Sequence, residues 1–280
     1  MSVLVDAAAL AWELAQGRRV VLLDVRWALG DPRGHERYLD GHLPGAVFVD
    51  LERDLAAPAS AAEGRHPLPD LGSLQDAARR WGIRTGDPVV AYDATGGLAA
   101  ARAWWLLRWG GLSDVRLLDG GLRAWTEAGG AVETADGTPE AGDVVLLGGG
   151  MPVLSIDEAA ALPASGAVLL DARAGERYRG EQEPVDPRAG HVPGAVSAPT
   201  TDNLGPDRRF RTPAELTERF AALGVRPGVL VGVYCGSGVT AAHEIAALTE
   251  AGLEAALWPG SWSQWSADPA RPAVTGADPY

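Results

Sequence analysis

Cysteine occurs once in these 280 residues, lysine not at all, and no apolar run approaches twenty residues. A single cysteine excludes an internal disulfide and suits a reducing compartment, so a cytoplasmic protein is expected. The absence of long apolar runs argues against a helical membrane span. Met1-Ser-Val-Leu-Val-Asp6 also lacks a basic region followed by an apolar core, so no secretory signal is expected. Without lysine, all 24 basic residues are arginine, set against 37 acidic ones for a net charge of −13. That balance argues against nucleic acid as a partner. Any anion site must be built from arginine, whose planar fork suits carboxylates and sulfur oxyanions. Five histidines and one cysteine form no ligand-spaced cluster, so no metal site is expected.

What is present fits two ordinary domains. Hydrophobic residues make up 46% and charged residues 22%, a globular composition, and the length suffices for two cores. The chain also repeats itself. Val21-Leu-Leu-Asp-Val-Arg26 returns as Val168-Leu-Leu-Asp-Ala-Arg173, and Gly41-His-Leu-Pro-Gly-Ala-Val47 returns as Gly190-His-Val-Pro-Gly-Ala-Val196. Val89-Val-Ala-Tyr-Asp93 aligns with Val231-Gly-Val-Tyr-Cys235, and Gly120-Gly-Leu-Arg-Ala-Trp125 aligns loosely with Pro259-Gly-Ser-Trp-Ser-Gln-Trp265. The first three pairs lie 147, 149 and 142 residues apart, in the same order, which marks a tandem duplication.

Each copy alternates short apolar strands with amphipathic helices, which predicts an α/β fold on a mainly parallel sheet flanked by helices. In the first copy the pattern predicts helices over 7–16, 73–81, 98–109 and 122–128, and strands over 20–25, 47–50, 88–93 and 115–118. In the second, Ser155-Ile-Asp-Glu158 and Thr212-Pro-Ala-Glu215 read as capping boxes, with Pro213 at the first helical position. The partition expected is a first domain over 1–132, a linker over 133–152 and a second domain over 153–280. Within the Gly- and Pro-rich linker, Asp143–Leu147 is apolar enough for an extended strand. The tryptophans Trp104, Trp105, Trp109, Trp125, Trp262 and Trp265 read as core and interdomain packing. Trp262 and Trp265, following a strand end, are also placed to line a cleft mouth.

The one cysteine sits where chemistry is easiest to build. Val229–Tyr234 reads as a buried strand, Cys235-Gly-Ser-Gly as a tight turn, and the Ala-rich stretch beyond as a helix. Gly236 and Gly238 let successive N–H groups turn toward the sulfur, and the helix start adds partial positive charge. Both favour the thiolate that a nucleophilic cysteine needs. His243, two helical turns further on, is too distant to touch it and reads as a packing residue.

Cys235-Gly-Ser-Gly-Val-Thr-Ala241 resembles the active-site loop of the rhodanese superfamily in its 3-mercaptopyruvate sulfurtransferase version. Together with the Leu-Leu-Asp-x-Arg and Gly-His-x-Pro-Gly-Ala repeats, the resemblance covers nearly the whole chain and implies two tandem rhodanese-like domains. His42 and His191 lie in those repeats and read as structural. Asp93 stands where Cys235 does in the other copy and cannot carry a transferable sulfur, so the first domain is expected to be catalytically inactive.

The resemblance implies a ping-pong sulfurtransferase in which Cys235 becomes a persulfide, with a small-molecule sulfur donor, a thiol or cyanide acceptor, and no cofactor. Gly236, Gly238, Val239 and Thr240 would cradle that persulfide. Thiosulfate-preferring members typically carry basic residues after the cysteine, and this loop has none, which points to 3-mercaptopyruvate. By position, Arg177 matches the arginine that takes the donor's carboxylate. Arg188 is the candidate second one, with Arg179 its rival, because the spacing from Arg177 is eleven where typical members show nine. Ser237, His66 and Glu52 match a serine, histidine and carboxylate that would move protons, with glutamate in place of the family's aspartate. A related phosphatase loop would need arginine at Ala241. The remaining rivals are thiosulfate as donor and a relay module that hands persulfide to a protein. A monomer is expected.

Overall fold

The computed structural model describes residues 2–280; Met1, which opens the expected first domain and the leader reading, lies outside the described residues. Two compact units emerge. The first comprises the described residues up to Ala56, Pro69–Met151 and Pro206–Phe210; the second comprises Ala57–Leu68, Pro152–Gly205 and Arg211–Tyr280. No helix among the described residues is long and apolar enough to cross a membrane.

In the first unit, strands β1 (Leu4–Val5), β2 (Val21–Asp24), β3 (Val47–Phe48), β4 (Val89–Tyr92) and β5 (Val115–Leu118) form a parallel sheet in the order β1-β5-β4-β2-β3. In the second, β6 (Val168–Asp171), β7 (Val196–Ser197), β8 (Val231–Tyr234) and β9 (Ala256–Leu257) run parallel in the order β7-β6-β8-β9. The central strands β2, β4 and β8 are buried throughout, as parallel strands covered on both faces must be. Leu23, Val90 and Val233 have no exposure, and each contributes about 2 kcal/mol of apolar burial. Both capping boxes form, at Ser155 and Thr212, with Pro213 in the first turn.

The repeated motifs build the same joint twice. Arg26 returns its guanidinium to Asp24 at 2.7 and 3.0 Å and to the Gly41 carbonyl at 2.9 Å. Arg173 does the same to Asp171 at 2.6 and 3.0 Å and to the Gly190 carbonyl at 2.7 Å. His42 and His191 are fully buried. Each donates Nδ1–H to a carbonyl, of Tyr38 or Tyr178, at 2.8 Å, and stacks on that tyrosine with ring centroids 3.7 Å apart. Their geometry is that of struts.

Three expectations change. Asp143–Leu147 forms no strand. Its backbone instead takes up carbonyls at helix and turn ends, with Gly142 N–H on Arg79 and Leu147 N–H on Gly110 at 2.8 and 2.9 Å. Carbonyls at helix ends lack the full set of intrahelical partners, which leaves them able to accept from the segment as a strap. Val144 and Leu146 are buried while Leu147 is exposed. The expected partition into 1–132, a linker over 133–152 and 153–280 meets two units whose main boundary falls between Met151 and Pro152, so the linker stretch groups with the first unit, and two short segments are exchanged besides. Residues 57–68 cluster with the second unit, where Arg65 N–H donates to Ser263 Oγ and Gln264 Nε2 to the Ala62 carbonyl. Phe210 N–H donates to Asp119, within the first unit. Finally, Trp262 and Trp265 are buried in the second unit's core, with no surface to line a cleft mouth.

Candidate active site

Cys235 follows the last residue of β8, at the carboxyl end of a parallel sheet where α/β proteins bind ligands. Its side chain is 2% exposed, and Gly238 N–H donates to its Sγ at 3.1 Å. Gly238 has φ +78, and a Cβ there would lie 2.5 Å from the Pro259 carbonyl oxygen, so no other residue fits. Val239 and Thr240 open the helix Thr240–Glu250, whose positive end therefore lies within a few residues of the sulfur.

A second loop holds the first. Ser261 Oγ accepts from Cys235 N–H at 3.2 Å and donates to the Trp258 carbonyl at 2.9 Å. Trp262 and Ser263 N–H groups donate to the carbonyls of Cys235 and Gly236. Ser261 sits at φ +53, a strained conformation for a residue other than glycine, at a cost of about 1 kcal/mol. Its only signal in the sequence was the loose match to Gly121, which has φ +58.

Ser237 and His66 meet: His66 Nδ1 lies 2.7 Å from Ser237 Oγ, and both are buried. Glu52 belongs to the other unit, where it is exposed and accepts from Trp27 Nε1 at 2.9 Å.

The arginines separate. Arg177 pairs with Glu183 at 2.6 Å and Asp186 at 3.0 Å, and its Nη1 lies 3.3 Å from where a Cβ on Gly236 would be. It therefore stands beside the cysteine loop. Arg188, the candidate second arginine, is bound to main-chain carbonyls. Its guanidinium donates to the carbonyls of Ser266, Arg271, Trp265 and Asp268 at 2.7–2.9 Å, which uses four of its five N–H groups. Arg179 pairs with exposed Glu181 at 2.8 Å. His243 is buried, against Thr200 Oγ1 at 2.7 Å.

Arg65 and Asp186 went unnoticed in the sequence. Arg65 Nη2 lies 3.0 Å from the same Cβ position on Gly236, and its Nη1 pairs with Asp186. Burial pushes the Asp186 carboxyl above its ordinary range although both arginines pull it down. One signal was available: the ninth residue after Arg177, where the family's second arginine falls, is Asp186.

The equivalent loop of the first unit is closed by its own side chain. Asp93 accepts N–H groups from Thr95, Gly97, Ala99 and Ala100 at 2.7–3.1 Å, two to each carboxylate oxygen. It is 1% exposed, on the wall of a cavity of about 390 Å³ shared with Arg26 and Trp27.

The rhodanese-like domain family matches residues 7–128 and 155–268. A Mycobacterium tuberculosis protein, provisionally named thiosulfate sulfurtransferase SseB, is 49% identical over 98% of this chain and 97% of its own length. A Pseudomonas aeruginosa protein, provisionally named a 3-mercaptopyruvate sulfurtransferase, is 50% identical over 92% of this chain and 93% of its own. Among solved structures, the 3-mercaptopyruvate sulfurtransferase SseA of Escherichia coli superposes with a TM-score of 0.82 at 31% identity, covering 94% of this chain and all of that one. The chain thus belongs to the rhodanese family, as a sulfurtransferase with two tandem rhodanese-like domains.

Proposed function

We infer that this chain moves a sulfane sulfur from 3-mercaptopyruvate to a thiophilic acceptor, cyanide or a thiol, through a persulfide on Cys235. The observation that carries the reading is the uncharged loop Cys235–Thr240, with a backbone N–H on the sulfur and Arg177 beside Gly236. In the first step the Cys235 thiolate attacks the donor's sulfur. An S–S bond forms, the donor's C–S bond breaks, and its electron pair passes to an enolate that takes a proton and leaves as pyruvate. In the second step the acceptor attacks the outer sulfur, and the S–S electron pair returns to Cys235 as thiolate. Preorganised N–H dipoles favour the anionic persulfide between the steps.

Arg177 offers a bidentate partner for the donor's carboxylate. The Ser237–His66 pair is within proton-transfer distance and supplies the proton that the enolate needs. Glu52 is assigned the orienting role on sequence position alone. The first domain, with Asp93 at the sulfur's position, acts without chemistry of its own, and the protein works as a cytoplasmic monomer without a cofactor.

A second reading, thiosulfate as donor, is favoured by the name of the 49% identical mycobacterial relative. Steady-state kinetics with both donors and cyanide, on the native chain and Cys235→Ser, separates them. The expected outcome is a higher kcat/KM with 3-mercaptopyruvate and an inactive variant. Faster turnover of thiosulfate would replace the donor. Persulfide uptake without turnover to either acceptor would make the protein a relay.

A further inference from the structure

Two guanidinium groups converge on the residue after Cys235. Arg65 Nη2 and Arg177 Nη1 lie 3.0 and 3.3 Å from the point a Cβ on Gly236 would occupy. Glycine at 236 leaves them that room. Between them stands one carboxylate: Asp186 Oδ1 accepts from Arg65, and Oδ2 accepts from Arg177 at 3.0 Å. Asp186 is thus held as a substrate carboxylate would be held, one oxygen to each arginine.

Three further observations make this a working pair. First, Arg65, Asp186, Gly64, Val185 and Ser263 line a cavity of about 290 Å³, so Arg65 and the carboxylate it holds have an opening beside them. Second, the Nε atoms of both Arg65 and Arg177 are buried without a hydrogen-bond partner, so each fork retains an unused donor. Third, the cluster of Arg65, Arg173 and Arg177 with Asp171, Glu183 and Asp186 is balanced in charge. An incoming anion gains little from balanced arginines unless the resident carboxylate gives up its place.

We propose that Arg65 is the second arginine for the donor's carboxylate, acting with Arg177, and that Asp186 holds the pair in place until that carboxylate displaces it. The proposal rests on the sulfurtransferase reading above and names its donor subsite. It selects small 2-oxo acids, whose planar carboxylate matches the paired forks. Arg188 is excluded from the role by its carbonyl partners.

The test is the inhibition constant of pyruvate, which carries the carboxylate without the sulfur, and KM for 3-mercaptopyruvate. Both are measured on the native chain, Arg65→Gln, Arg65→Lys and Asp186→Asn. Arg65→Gln is expected to raise both constants on the order of tenfold, the loss of one charged hydrogen bond, with kcat changed far less. Arg65→Lys recovers part of the loss, and Asp186→Asn tightens pyruvate because the competing charge is gone. A purely structural Arg65 would lower kcat and stability and leave the pyruvate constant alone. Pyruvate binding within twofold of native in both Arg65 variants, or weakened by Asp186→Asn, overturns the proposal while Cys235 still takes up sulfur. A native chain that takes no sulfur onto Cys235 overturns the reading beneath it, and the proposal with it.

Discussion

In the first unit a carboxylate draws four backbone N–H groups onto itself; in the second, a sulfur stands at the same place with Gly238 N–H upon it. The loops begin alike, after Tyr92 and after Tyr234, each a strand-end tyrosine whose hydroxyl accepts a backbone N–H from the Gly-His-x-Pro turn. They part at one residue. Asp93 brings its own negative charge and completes the cradle, which makes the loop a rigid joint. Cys235 brings no carboxylate of its own, and its sulfur takes the Gly238 N–H. The difference extends into the helices: nine residues on, the first has buried Arg102 and the second buried Glu244. Arg102 Nε donates to the Leu55 carbonyl, whereas Glu244 takes Arg219 and Asn203. One architecture is thereby stabilised through two different polar networks.

The contrast can be broken first at the cysteine. Cys235→Ser should cost turnover on the order of a thousandfold or more, since no other residue can hold the transferred sulfur, with the unfolding midpoint little changed. Its counterpart is Asp93→Ala, which leaves four N–H groups without their acceptor, three of them buried. A stability loss of about 3 kcal/mol is expected by urea unfolding, while persulfide formation at Cys235 in the folded fraction stays near native. His66→Ala comes next, lowering kcat about a hundredfold by removing the proton partner of Ser237. A loss confined to KM would assign His66 to donor binding instead.

The smallest effect is that of Glu244. Burial raises its carboxyl pKa above the ordinary value, against the pull of Arg219. A carboxyl raised in the folded state stabilises the fold fully below the unfolded value, and that contribution is lost as pH rises through the folded one. The stability of the native chain relative to Glu244→Gln should therefore fall as pH rises from 4 to 7. A difference that grows over that range contradicts the assignment.

The repeats carried the architecture because they are written in strand-end residues that the fold uses twice. Val21–Asp24, Val89–Tyr92 and Val231–Tyr234 lie inside the expected strands, and Val115–Leu118 matches its expected bounds. Short helices such as Gly34–Leu39 and Leu51–Asp54 went unread because four to six residues offer too little periodicity. Near Cys235, the grouping of Ser237 with His66 and the placing of Arg177 beside Gly236 follow positions that local motifs had singled out. Arg65 and Asp186 were not singled out, because their meaning arises from a pairing across 121 residues. For Arg188 the motif suggested an anion partner, whereas its hydrogen bonds here run to the carbonyls of Asp268 and Arg271. The strap over residues 142–147 read as a strand because its partners are helix-end carbonyls, which leave no pattern in the strap itself.

Mass spectrometry of the protein after brief exposure to 3-mercaptopyruvate, and again after cyanide, tests the central claim most directly. The expected result is one added sulfur atom on the peptide that contains Cys235, lost when cyanide is added, and none on Cys235→Ser. Donor consumption with Cys235 unmodified, or added sulfur that cyanide does not remove, would contradict the account.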